Sequence, residues 1–192
     1  MKLFIADTHF NHENVLRCSP RGKLFKSGSE HDVAVLKGIN AHVNEDDELY
    51  ILGDVAWTAE TSWVSKIRCK YIHHIIGNHD RPSYGKLFTS TSDVREIKIG
   101  ELKCFLSHYP HAFWPSSHHG SLHLYGHCHA QREETLDKAF PGRRSMDVGV
   151  DNALRILGEI RPFTENEILY LLAGRPGHDL KEYYEGLRNG TS

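Results

Sequence analysis

Leu3-Phe4-Ile5-Ala6 runs straight into Asp7-Thr8-His9, and this junction decides the reading of the fold because the chain repeats its grammar four more times. Leu49-Tyr50-Ile51-Leu52 leads into Gly53-Asp54, and Ile75-Ile76 into Gly77-Asn78-His79-Asp80. Phe105-Leu106 reaches His108, and Leu122-His123-Leu124-Tyr125 leads into Gly126-His127-Cys128-His129. Short apolar runs bounded by Gly and polar residues read as buried strands. In layered α/β proteins, ligands gather outside one end of the sheet, where strands hand over to loops. Five strand ends are therefore expected to bring carboxylate, amide and imidazole to one place.

Working outward, Ser29 to Val43 carries Val33, Leu36, Ile39 and Val43 at helical spacing, with Ser29 and Asp32 placed to cap its start. Glu60 to Cys69 sets Trp63, Val64 and Ile67 on one face, with Thr58 or Thr61 as cap, and predicts a second helix. Strand, helix, strand, helix, strand is the pattern of right-handed parallel crossovers. After Asp93 the grammar changes: Val94 to Ile99 alternates, Gly100-Glu101 turns and Leu102 to Leu106 returns as a hairpin. Gly120 to Tyr125, Ser145 to Val150 and Leu157 to Arg161 read as further strands, so the second half is expected to be mostly β. Thr164-x-x-Glu167 is a capping box opening a helix through Leu172, and Asp179 to Arg188 reads as a short terminal helix before a frayed end. The expected fold is a mixed α/β sandwich with a parallel half and an antiparallel half.

A chain of 192 residues supplies one substantial core, and no repeat or linker divides it, so a single domain over 1–192 is expected. Hydrophobic content of 39% and charged content of 25% are ordinary for a soluble protein, and no run approaches the ~20 apolar residues of a membrane-spanning helix. The N-terminal apolar run stops at Asp7, short of a secretory signal. Cys18, Cys69, Cys104 and Cys128 show no paired spacing and read as free thiols. Together these predict a cytoplasmic enzyme with no membrane partner. A net charge of -2 gives no global footprint for nucleic acid. The departure from ordinary composition is histidine, at 15 residues, five of them just past the ends of the apolar runs above.

Asp7 and His9 are two apart, as are His127 and His129, and in an extended segment such pairs point to the same side. Cys128 between them then points away. Carboxylate, imidazole and one amide without thiolate suit divalent metals of intermediate hardness, Mn²⁺, Fe²⁺, Ni²⁺ or Zn²⁺, better than an all-oxygen Mg²⁺ or Ca²⁺ cage.

The ordered series Asp7-x-His9, Gly53-Asp54, Gly77-Asn78-His79-Asp80, His108 and Gly126-His127-x-His129 resembles the calcineurin-like metallophosphoesterases, and spans about two-thirds of the chain in that family's order. The opening Asp7-Thr8-His9-Phe10-Asn11-His12-Glu13-Asn14 is similar to the small single-domain bacterial and phage members. The resemblance implies a four-layer αββα sandwich with mixed sheets and two divalent metal ions, Mn²⁺ first among them. It assigns Asp7, His9 and His129 to one metal, Asn78, His108 and His127 to the other, and Asp54 to a bridge between them. It also implies phosphate-ester hydrolysis, of diesters in particular, by a metal-bridging hydroxide. Two cations roughly 3.5–4 Å apart can generate that nucleophile and clamp the phosphoryl oxygens. His79 is implied to contact phosphate and protonate the leaving oxygen, with Asp80 orienting it.

For any one of these positions a helix cap or a structural hydrogen bond is the ordinary reading; for all of them, in order and at successive strand ends, it is not. Asn11, His12 and Arg81 are candidate substrate contacts, and Trp57 a candidate for stacking on a ring. His73 and His74 sit inside a strand and read as structural. His111, His118, His119 and His123 surround Trp114 in a segment read as a loop that walls the substrate. Arg17, Arg21, Lys23, Lys26, Arg143 and Arg144 are candidate phosphate-binding cations. With no long insertion between motifs the site is expected to be open, favouring a small phosphate ester or nucleotide as substrate. A nuclease acting on DNA or RNA is the rival reading. A scaffold that has lost catalysis is disfavoured because His79 and every ligand position are filled.

Overall fold

The computed structural model describes residues 1–58 and 62–177. Along the chain run β1 (Lys2–Ile5), α1 (Val15–Cys18), α2 (Gly28–His42), β2 (Glu48–Leu52), β3 (Tyr71–Ile75), β4 (Ser90–Ser92), β5 (Val94–Ile99) and β6 (Leu102–Ser107). β7 (Leu122–Tyr125), α3 (Glu133–Ala139), β8 (Ser145–Asp147), α4 (Val150–Leu157), β9 (Phe163–Thr164) and α5 (Glu165–Leu172) follow. They form two mixed sheets, one ordered β4-β3-β2-β1-β9 and the other β5-β6-β7-β8.

β1 shows why the sheets stack. Leu3 and Ile5 face Val35 and Ile39 of α2, while Phe4 and Ala6 face Cys104, Leu106, Leu122 and Leu124 of the second sheet. A strand buried on both faces loses the polar alternation of a surface strand and reads as a continuous apolar run, as Leu3 to Ala6 does. The outer face of the second sheet is covered by α3, whose Glu133 is bonded to Tyr125 of β7, and by the segment carrying Trp114, which packs on His123. The layers are thus α2, sheet, sheet, and α3 with its neighbouring loop: an αββα sandwich. α5 seals the space between the sheets with Ile168 and Leu172. Among the described residues no helix is long and apolar enough to cross a membrane. All four cysteines are free thiols.

The parallel pairing of β1, β2 and β3 and the β5–β6 hairpin match the sequence expectation, with Ile99 opposite Leu102 across the Gly100-Glu101 turn. Several expectations do not hold. The start of α2 is capped by Ser27, whose side chain accepts from Glu30 N–H, and not by Ser29 or Asp32. Between β2 and β3 the described residues contain only a 3-10 turn, Val64–Lys66, where a helix from Glu60 was expected. Trp63 there stacks on Phe10 and donates to Asn11, so tertiary contacts set the local backbone. The second sheet is not an antiparallel half, since only β5 runs against its neighbour.

The second half also holds more helix than expected. α4 occupies Val150–Leu157, overlapping both ends of the two strands read there, and the short β9 comes later. Its Asp151 and Asn152 are polar yet buried, which disguises the apolar helical face formed by Val150, Ala153 and Leu157. The terminal helix read at Asp179 to Arg188 lies outside the described residues.

Candidate metal centre

β1, β2 and β3 end side by side in the first sheet, and β6 and β7 end side by side in the second. Cross-bonds fasten the two sets together. His108 Nδ1 donates to Leu52 O at 2.8 Å, Gly126 N–H to His108 O at 2.9 Å, and His127 N–H to both Asp7 carboxylate oxygens at 3.0 and 2.9 Å. The fit leaves no room for side chains at the hand-over points. A Cβ on Gly53, at φ +86°, would lie 2.3 Å from His108 Nδ1, and one on Gly77 would lie 2.3 Å from Asp54 N.

The paired residues converge for a reason other than the extended backbone expected of them. Asp7, His9, Asp54, His127 and His129 all adopt the left-handed conformation, at φ 55°, 48°, 52°, 69° and 48°. Asp and His are among the residues that tolerate this region best. Each such residue stores about 1–3 kcal/mol, a cost that the surrounding structure must offset.

Two groups of donors result: Asp7, His9 and His129, and Asp54, His108 and His127, each with its ligand atoms within 4.8 Å of one another. Asp54 lies between them, with Oδ2 3.7 Å from His9 Nε2 and Oδ1 3.5 Å from His108 Nε2. Asn78 Oδ1 joins the second group, 3.0 Å from both His108 Nε2 and His127 Nδ1. All seven residues singled out as ligands in the sequence are therefore brought together. Cys128 belongs to neither group, and burial pushes its thiol up to about 11.

The donor set suits cations on chemical grounds. His108 spends Nδ1 on a backbone carbonyl and His129 spends Nδ1 on Asp151 at 2.6 Å, which leaves the Nε2 lone pair of each aimed inward. His9 Nε2 and His129 Nε2 lie only 3.3 Å apart. Burial, with the Arg21 charge, holds His9 well below the ordinary imidazole range, the neutral form that ligation requires. Burial raises the Asp7 carboxyl well above its usual value despite His129, and the nearby charges of Asp147 and Asp54 add to the rise. Such crowded buried acids call for a positive charge among them.

A buried network holds the candidate donors from behind. Asp151 accepts from His129 and from Arg21 Nε and Nη2, at 3.2 and 2.7 Å. Arg21 also donates to Asp7 O and contacts His31 Nε2, and His31 Nδ1 meets Asp32, which accepts from Asn11 N–H. Burial opposes the charge on Asp151, yet His129 and Arg21 carry its pKa down to about 2. Burial likewise opposes a charged His129, and Asp151 with Asp7 overcomes it and raises the pKa.

Several assignments change. Asp80 does not orient His79: its carboxylate accepts from Asp54, Val55 and Gly77 N–H and from His74 Nε2, all within 2.9 Å. Burial opposes its charge, and His74 together with the Gly77 and Val55 N–H bonds outweighs it, so the pKa is lowered. Asp80 thereby staples the Gly53 and Gly77 loops together. His79 itself stands on the rim, its side chain 34% exposed, with Nε2 3.9 Å from Asp54 Oδ2 and its N–H donating to Asp54 Oδ1 at 2.9 Å. Asn11 braces the neighbouring loop, accepting from Trp63 Nε1 and donating to Thr58. His12 lies at the rim, its Nδ1 3.1 Å from His9 Nδ1, and Arg81 is exposed at the head of the 3-10 turn Pro82–Leu87.

Arg21 and Arg143 are buried in ion pairs with Asp151 and Glu133, and Arg144 donates to Arg175 O and Gly120 O, so none of the three is offered to a phosphate. The expected substrate-walling histidines scatter. His123 is buried in β7 between Ser107 and Ser145, and His118 and His119 lie beside Gly120 at the start of β7, the end of the sheet away from the cluster. Tyr109 takes their place at the rim, 48% exposed, with its ring 4.6 Å from that of His127. Asp147, whose carboxylate accepts from Ala130 and Gly149 N–H, was also missed. It ends β8, but Ser145-Met146 is not the apolar run that precedes Asp7 and Asp54, so the sequence carried little signal for it.

Fold and cluster together define the class: a mixed α/β sandwich whose two sheets meet at groups of side chains with the composition and spacing to hold metal ions. The chain is similar to proteins from three sources. An uncharacterised protein of Methanocaldococcus jannaschii is 28% identical over 151 residues, 77% of this chain and 80% of its own length. The gene 66 protein of Mycobacterium phage L5 is 25% identical over 183 residues, 77% of this chain and 85% of its own. A protein of unknown function from Aquifex aeolicus shares the fold, with a TM-score of 0.71 and 24% identity over 89% of this chain and 98% of that one. No family model matches the sequence.

Proposed function

We propose that this protein is a metal-dependent phosphoesterase of the calcineurin-like type, hydrolysing phosphate esters and phosphodiesters in particular. The observation that carries the reading is Asp54, which addresses both donor groups at once, one oxygen toward His9 and the other toward His108. Asp7, His9 and His129 would hold one divalent cation and Asn78, His108 and His127 the other, with Asp54 shared and Mn²⁺ the first candidate. Such a pair, when bound, supplies Lewis acidity toward the phosphoryl oxygens and acidifies coordinated water.

The chain's own groups do the rest. Asp54 fixes the spacing of the two donor groups and, by accepting the N–H of His79, also fixes that residue. His79 on the rim delivers a proton to the departing oxygen, a task suited to imidazole near neutrality. The exposure of Asn78 and His127 leaves the cluster open on one side, which supports a small phosphate ester or nucleotide as substrate.

The test is chelation followed by addition of single metals, with metal content and hydrolysis of bis(4-nitrophenyl) phosphate as readouts. Mn²⁺ or Ni²⁺ is expected to restore more activity than Mg²⁺, because four imidazoles disfavour a cation that prefers all-oxygen octahedra. Full activity after exhaustive chelation overturns the reading. Turnover of monoesters alone, with metals bound, removes the diester preference.

A further inference from the structure

Trp57 is 45% exposed, whereas Trp114 is buried and Trp63 is half-buried with its indole N–H bonded to Asn11. A single exposed aromatic is ordinary on a protein surface. This one is held in place. Its backbone N–H donates to Phe10 O at 2.9 Å, and its ring lies parallel to that of His12, centroids 4.2 Å apart and planes within 8°. His12 is in turn tied to the ligand His9 through their Nδ1 atoms at 3.1 Å. The indole is therefore fixed relative to the cluster, and a rigid aromatic face gains more from stacking because little conformational freedom is lost.

Its position matters as much as its rigidity. The Trp57 ring lies 5.0 Å from the His79 ring, and His79 Nε2 lies 3.9 Å from Asp54 Oδ2. One imidazole thus separates the indole from the centre of the cluster, much as one ribose separates a base from its phosphate. We propose that Trp57, backed by His12, is a stacking platform for the base of a nucleotide whose phosphate lies against the Asp54 cluster. The proposal rests on the phosphoesterase reading and names its substrate class as nucleoside phosphates. Because every base has a π-face, the platform selects for a base without reading which one.

The experiment compares adenosine 5′-monophosphate with ribose 5-phosphate, which keeps the phosphate and sugar and lacks the base, by calorimetry on the Mn²⁺-loaded protein. The nucleotide is expected to bind roughly tenfold more tightly and to quench tryptophan emission, which the sugar phosphate leaves unchanged. Trp57→Leu, which keeps bulk without a ring, should abolish most of that preference, and Trp57→Phe should retain much of it. His118→Ala, at the far end of the sheet, should leave the preference as in the wild type. Equal affinities for the two probes in the wild type, or a preference that survives in Trp57→Leu, overturns the platform. If the base preference is found while no ester is hydrolysed with any metal, the platform stands and the phosphoesterase reading falls.

Discussion

Asp54 touches everything that matters at the smallest scale. It spans the two donor groups and accepts the His79 N–H, so Asp54→Asn removes one charge from both groups at once. We expect it to lower metal content and turnover by more than roughly 100-fold, beyond the 10–100-fold typical of a residue that only orients a ligand. Near-wild-type metal content in that variant would show that Asp54 is not shared. Asp151→Asn weakens the hold on His129 without removing a ligand and should stay within that 10–100-fold range in metal affinity, measured by competition with a chelator. His79→Asn should leave metal content intact and slow esters with poor leaving groups by ~10²–10⁴-fold, with a smaller loss for nitrophenyl esters, which depart without a proton. Equal losses for both would make His79 a phosphate-positioning residue. The candidate donors were legible in the sequence because they follow the ends of apolar strands. Arg21, His31 and Asp151 were not, since Arg21 lies in a surface-looking segment, His31 on a helix whose spacing points only to its apolar residues and Asp151 in an unrecognised helix, and only tertiary packing brings them together.

At the scale of the element, what could be read depended on whether local chemistry or tertiary contact sets the backbone. α5 was readable because its start is self-contained: Thr164 accepts from Glu167 N–H while Glu167 reaches back to the Thr164 N–H. Arg161 joins the same carboxylate, and that bond, aided by Thr164 and opposed by burial, holds Glu167 down to about 2. A lowered acid pKa contributes stability that is complete above the unfolded value of about 4.3 and is lost as pH falls toward the folded value. Glu167→Gln should therefore flatten the dependence of unfolding free energy on pH between about 4.5 and 2, and an unchanged slope there would remove this bond from the stability of the fold. Thr164→Ala should cost roughly 0.5–2 kcal/mol at neutral pH, read from denaturant midpoints. The 3-10 turn Val64–Lys66 is the opposite case. Its apolar spacing is helical, but Trp63 is drawn to Phe10 and Asn11, contacts that no local pattern encodes.

For the whole molecule, the cluster is a joint between two sheets as well as a site. Asp7, Asp54 and Asn78 come from the first sheet and His108, His127 and His129 from the second. Five ligand residues there are held in the left-handed region, and buried Asp7 and Asp147 are both raised, the latter to about 6, by burial and by neighbouring acids. Strained backbone and crowded acids oppose folding at this joint, and a cation bound only by the folded chain would offset them. A ligand at 100 times its dissociation constant adds about 2.7 kcal/mol to stability. Metal removal is therefore expected to lower the melting temperature of the entire sandwich cooperatively, by several degrees or more. Mn²⁺ or Ni²⁺ should restore it in proportion to occupancy, and Mg²⁺ less so. Scanning calorimetry on chelated and reloaded protein checks this, with metal content measured on the same samples. A melting temperature indifferent to occupancy would mean that the packing between Phe4, Ala6, Leu106 and Leu124 alone holds the sheets together, and that the joint is formed in full before any metal arrives.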